Sequence, residues 1–111
     1  MRQNSPPETY GMHLTLRLGH LQRADALNSP DTVALFLRTL VSNIGMRILA
    51  GPLVAYEEGL EGNAGYSGVV ILYESHAAIH TYPHRAAASL DVFSCRQFAT
   101  CSKPIVVSSG L

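Results

Sequence analysis

The sequence predicts an α+β fold: an antiparallel sheet with a helix or helices packed on one face, a two-layer α/β sandwich. Three observations carry it. Met12, Leu14, Leu16 and Leu18 alternate with His13, Thr15 and Arg17, the period of a half-buried strand. Between residues 33 and 44 the apolar period changes to that of a helix. From Ser67 onward, apolar and β-branched runs follow one another across short turn-forming segments.

With 111 residues the chain is expected to form one domain, 1–111, with residues 1–10 as a loose arm. A chain this small buries a limited fraction of its surface, so a homodimer that shares core area is expected. Apolar residues make up 47% and charged residues 14%, with a formal net charge of zero, so there is no electrostatic footprint for nucleic acid or an anionic membrane. No apolar run approaches the roughly 20 residues of a membrane span, and Met1 to Pro7 lack the apolar core of a signal peptide, which points to the cytoplasm. In that setting Cys95 and Cys101 are expected to stay reduced.

The first strand, from Met12 to Leu18, ends or bulges at Gly19. A helix follows, with Ser29 as N-cap, Pro30 in the first helical position, Asp31 in the first turn and Gly45 after the last periodic residue. Val33, Phe36, Leu37, Leu40, Val41 and Ile44 form its one apolar stripe. Met46 to Tyr56 reads as a second strand, bent or interrupted at Gly51-Pro52 because proline cannot donate to a central ladder. A glycine-rich acidic loop holding Glu57, Glu58 and Glu61 leads to Ser67. Ser67 to Glu74 reads as a strand buried on both faces, delivering Glu74-Ser75-His76 from rigid backbone. Ala77 to Tyr82 and Ala87 to Ser94 complete the set, joined by a turn at Pro83-His84-Arg85.

His76, His80 and His84 recur every four residues. Their β-branched and proline-containing context argues against a helix, and in a strand residues four apart stand roughly 14 Å from each other, too far for one ion. No metal is expected. His13 and His20 read as surface or interface residues, and Cys101 as a small apolar one.

Four spaced blocks are more specific: Ser67-Gly68, Glu74-Ser75-His76, Ile79-His80-Thr81-Tyr82-Pro83 and Asp91-Val92-Phe93-Ser94-Cys95. Together with the opening Gly11-Met-His13-Leu14, they resemble the small bacterial and archaeal members of the S-adenosylmethionine decarboxylase family. The resemblance implies a four-stranded sheet with helices on one side, dimerised so that active sites form at the subunit interface. It also implies self-cleavage between Glu74 and Ser75, with Ser75 becoming a pyruvoyl group that holds the substrate amine. His80 is then the processing base, Ser67 a donor at the processing centre and Cys95 the proton donor to substrate. A decarboxylase acting on an α-amino acid needs such an electron sink, and the one lysine, Lys103, offers no plausible pyridoxal phosphate site.

Substrate recognition departs from the family. Glutamate normally follows the Ile-His-Thr-aromatic-Pro block and accepts hydrogen bonds from ribose; here His84 stands there, without the bidentate carboxylate a vicinal diol prefers. Tyr56, Tyr66 or Tyr82 could supply the aromatic face for adenine. S-adenosylmethionine, decarboxylated for polyamine biosynthesis, is the first expectation. L-ornithine or L-arginine, held by Glu57, Glu58 or Glu61, is the second. An unprocessed, non-catalytic regulatory dimer is the third.

Overall fold

In a computed structural model of the chain, residues 11–59 and 63–95 are described. The strands are β1 (Met12–Leu18), β2 (Ile48–Glu57), β3 (Gly65–Leu72), β4 (Ser75–Tyr82) and β5 (Ala87–Ser94), with the helix α1 (Pro30–Asn43) between β1 and β2. They form one antiparallel sheet in the order β1-β5-β4-β3-β2. Among the described residues the sheet therefore has five strands, not the four that the family resemblance implies. The five segments read from their own periodicity are the ones that pair.

Helix α1 starts where its capping residues place it. The Ser29 side chain accepts a hydrogen bond from the Thr32 amide at 3.3 Å, and Pro30 holds the first helical position. At the other end Gly45 has φ +75°, while its amide and that of Met46 return to the Ser42 and Val41 carbonyls. This is the closure that a left-handed residue after a helix permits. The predicted stripe from Val33 to Ile44 is buried, and it meets Val70, Leu72, Ala77, Ile79, Leu90 and Val92 from the sheet.

Two expectations are corrected. Strand β3 is not buried on both faces: Val70 and Leu72 are fully covered by the helical layer, whereas Val69 and Ile71 on the opposite side are 37% and 49% exposed. Among the described residues one helix covers one face, so an apolar run that signals two buried faces finds only one there. Glu57 is not a loop residue but the last residue of β2, paired with Gly65. The break foreseen at Gly51-Pro52 is a local one: that peptide bond is cis and the register with β3 shifts on either side of Ala50, yet pairing resumes from Leu53.

Turn chemistry fixes the registers that matter. Only Tyr73 and Glu74 separate β3 from β4, and Glu74 takes a left-handed conformation, φ +61°. Pro83–Arg85 form a single 3-10 turn closed by left-handed Ala86, whose amide bonds to the Pro83 carbonyl. Thr81, buried, ties the layers together: its hydroxyl reaches the Leu27 carbonyl at 3.0 Å and accepts the Tyr66 amide at 2.9 Å.

The helix lies close to the sheet at Gly68, where an added Cβ would come within 3.0 Å of Leu37 and 3.1 Å of Val33. Gly68→Val should therefore cost about 1–3 kcal/mol by overpacking. Urea denaturation of the two proteins checks this, with unchanged stability as the opposing result.

Candidate active site

The candidate residues fall at two ends of the sheet, with Ser67 and His80 on its open face and Ser75 on the helical side. At one end, Ser67 on β3 stands directly opposite His80 on β4. The Ser67 hydroxyl lies 2.6 Å from His80 Nδ1 and donates to Glu57 Oε1 at 2.5 Å, while His80 Nδ1 and Glu57 Oε1 are 3.8 Å apart. At the other end are Glu74, Ser75 and Cys95. The Cys95 thiol donates to Glu74 Oε1 at 2.9 Å, across the gap between the end of β5 and the β3–β4 turn. Ser75, first residue of β4, turns its side chain toward the helical layer, and its buried hydroxyl has no hydrogen-bond partner among the described residues.

The two clusters do not meet within one chain. His80 follows Ser75 by five residues on the same strand, so strand rise alone separates them by about 17 Å. Ser67 is equally remote, because Ser75 pairs with Leu72.

Glu74 carries the local strain. A non-glycine residue in the left-handed region costs on the order of 1–2 kcal/mol, and here it is the residue whose carbonyl precedes Ser75. Among the described residues no hydrogen bond engages the Ser75 hydroxyl, which follows that carbonyl in sequence.

Of the expected substrate residues, Tyr82 borders a cavity of about 300 Å³ together with Arg17, Ala87 and Ser89. Ser89 pairs with both Arg17 and His80, so this cavity adjoins the Ser67–His80 end. Tyr66 packs against the core with its ring 5.4 Å from that of Tyr56. His84 is exposed in the 3-10 turn, beside Arg85, whose Nε donates to Asn63 Oδ1 at 2.9 Å. Glu58 is exposed after β2. Glu61, Cys101 and Lys103 lie outside the described residues.

A third cluster was not foreseen. Asp91, in the middle of β5, bonds His13 Nε2 through Oδ1 at 2.5 Å and His76 Nε2 through Oδ2 at 3.2 Å, with both imidazoles against the Phe93 ring. The alternating positions of all three residues are visible in the sequence, but only the β1–β5–β4 order brings them side by side.

Among the described residues, the fold and these clusters define a class: an antiparallel sheet with one α-helix on one face, a strained Glu-Ser hairpin, and a separate Ser-His pair on the other face. The chain belongs to the S-adenosylmethionine decarboxylase family, whose model matches residues 12–107. An S-adenosylmethionine decarboxylase proenzyme of Symbiobacterium thermophilum is 29% identical over 87 residues, covering 78% of this chain and 61% of that protein. The proenzyme of Syntrophomonas wolfei is 61% identical over 31 residues, 28% of this chain and 25% of its own. Among solved structures, the adenosylmethionine decarboxylase of Aquifex aeolicus superposes with a TM-score of 0.64 at 26% identity, over 80% of this chain and 68% of that one. The chain thus spans less than two thirds of the length of these curated relatives.

Burial pushes the Asp91 carboxyl upward, but hydrogen bonds from His76 and His13 and their nearby charges outweigh it and hold it below its ordinary 3.8. A carboxylate with a lowered folded-state pKa contributes stability above its unfolded value, and that stability is lost as pH falls through the folded one. The folded chain should therefore lose stability more steeply below pH 3.8 than Asp91→Asn does. Denaturant midpoints measured down the acid range check it; parallel curves would contradict it.

Proposed function

We propose that the chain is a self-processing, pyruvoyl-dependent decarboxylase of S-adenosylmethionine, and that two copies assemble each of its sites. The observation that carries the first half is the β3–β4 turn: a strained Glu74 carbonyl followed by a serine hydroxyl bound to nothing else among the described residues. The Ser75 oxygen attacks the Glu74 carbonyl carbon, and the peptide C–N bond gives way to an ester. Loss of the Ser75 α-proton expels the Glu74 carboxylate by β-elimination. One water then enters, ammonia leaves, and residue 75 ends as a pyruvoyl group. That group supplies a keto carbon for the substrate amine and the electron sink that decarboxylation requires.

The other residues serve proton traffic. His80 takes the α-proton of Ser75, and the Ser67 hydroxyl donates to the tetrahedral oxyanion of the acyl shift. Cys95 returns a proton to the substrate carbon after CO2 departs, and its contact with Glu74 keeps the thiol at the cleavage point.

Distance supports a second copy. Since Ser67 and His80 lie about 17 Å of strand from Ser75 in the same chain, the helpers of each Ser75 come from His80 of the partner subunit and Ser67 of the partner subunit. The open face suits this arrangement: Leu53, Val69 and Ile71 leave an apolar surface that a second sheet would cover. A two-fold axis through that face sets the Ser67–His80 end of each copy over the Ser75–Cys95 end of the other.

S-adenosylmethionine is preferred over ornithine or arginine. The relatives are named for it, and Glu57, a carboxylate on which the basic-amino-acid reading leaned, is bonded to Ser67. For location, no helix among the described residues is long and apolar enough to cross a membrane; the cytoplasm is proposed from the family.

Cleavage after residue 74 should divide the 12.0 kDa chain into bands of about 8 and 4 kDa on a denaturing gel, and Ser75→Ala should leave one band. The cut chain should release CO2 from S-adenosylmethionine and not from ornithine or arginine. A Ser75→Ala chain that still cleaves rules out the mechanism. Assembly in trans has its own signature. His80→Ala should stay uncut when expressed alone and be cut when co-expressed with Ser75→Ala, whose histidine is intact; failure of that rescue would put both half-sites in one chain.

A further inference from the structure

Glu57, Ser67 and His80 stand in a line of short contacts in which the serine is the middle member. A hydroxyl has one proton, and an ionised carboxylate only accepts. With the Ser67 oxygen 2.5 Å from Glu57 Oε1, that proton lies on the carboxylate side, since two bare oxygens at such a distance repel. The contact of 2.6 Å between the Ser67 oxygen and His80 Nδ1 then needs a proton of its own, and only the imidazole can provide it. A neutral imidazole with its proton on Nδ1 carries its lone pair on Nε2.

We propose that Glu57 is a positioning residue that acts through the Ser67 hydroxyl to hold His80 as its Nδ1–H tautomer, leaving Nε2 as the base. The role of that base rests on the self-processing function proposed above; the tautomer itself does not. The direct path from Glu57 to His80 is too long for a hydrogen bond, at 3.8 Å, so the serine is a necessary relay. The logic parallels a carboxylate that fixes a catalytic histidine by bonding its Nδ1–H, with a hydroxyl inserted between them. An oxyanion arriving at the assembled site would compete with Glu57 for the hydroxyl proton, while the Nδ1–H bond to the serine oxygen persists.

The position of Glu57 explains why an acidic residue ends β2. It is a strand residue rather than a loop charge. Its cross-strand partner is Gly65, two residues before Ser67, and strand alternation puts Glu57 on the same open face as Ser67 and His80.

The test uses the full chain in its uncleaved Ser75→Ala form, labelled with 15N-histidine and held at about pH 8, above the ordinary histidine range. Nitrogen–proton correlation spectra distinguish a protonated ring nitrogen from a bare one, and His80→Asn assigns the signal. The expected result is a protonated Nδ1 and a bare Nε2. Both Glu57→Ala and Ser67→Ala should move His80 toward the Nε2–H form, and dispersed amide spectra should show that both remain folded. An Nε2–H tautomer in the parent overturns the proposal, as does a tautomer unmoved by Glu57→Ala. A shift on Glu57→Ala that Ser67→Ala fails to reproduce overturns the relay. With Ser75 intact, Glu57→Ala should slow self-cleavage by about 10²-fold. If the parent chain is never cut, the self-processing reading fails while the tautomer remains measurable; if it is cut but Glu57→Ala matches it in both rate and spectrum, the positioning role alone fails.

Discussion

The two-residue turn at Tyr73-Glu74 is the constraint on which the rest depends. It sets Leu72 opposite Ser75 and thereby Ser67 opposite His80, so the register of the β3–β4 pair fixes both reactive clusters at once. A slip by one residue would send Ser67 and His80 to the helical side and expose Val70 and Ile79 instead. The helical layer prevents it, because Val70, Leu72, Ala77 and Ile79 are all needed to cover α1. The same turn places Glu74 in a conformation unfavourable for its side chain, so the element that determines the register also stores the strain.

A rigid strand pair has a second consequence. Residues five apart on one strand cannot approach each other, and no flexible element joins the Ser67–His80 end to the Ser75–Cys95 end. In the proposed function, proximity, on which general base catalysis depends, comes from a second copy. The uncovered apolar face gives a driving force for such an association, and the polar clusters at its two ends give it a direction.

Polar residues on that face are arranged in rows across strands. One row runs from Arg17 through Ser89 and His80 to Ser67, and the Asp91 carboxylate joins His13 and His76 from the strands on either side. Each cluster pairs carboxylate with imidazole, directly at Asp91 and through a hydroxyl at Glu57. Such pairs are costly to bury unless fully bonded, and here they lie on an exposed face.

Much was legible without coordinates. The helix and its caps were readable because Ser29, Pro30 and Gly45 act locally, and the strands because period-2 alternation reports one buried face. The motif blocks placed the chain in its family because they are contiguous runs of residues. What the sequence could not determine is which residues face each other across strands. The place of Glu57 beside Ser67, the Asp91 cluster, and the exposure of Val69 and Ile71 all follow from strand order, register and layer packing. Those are set by long-range pairing against the helical layer, and a chain read one residue at a time carries no measure of distance between segments brought together only by folding.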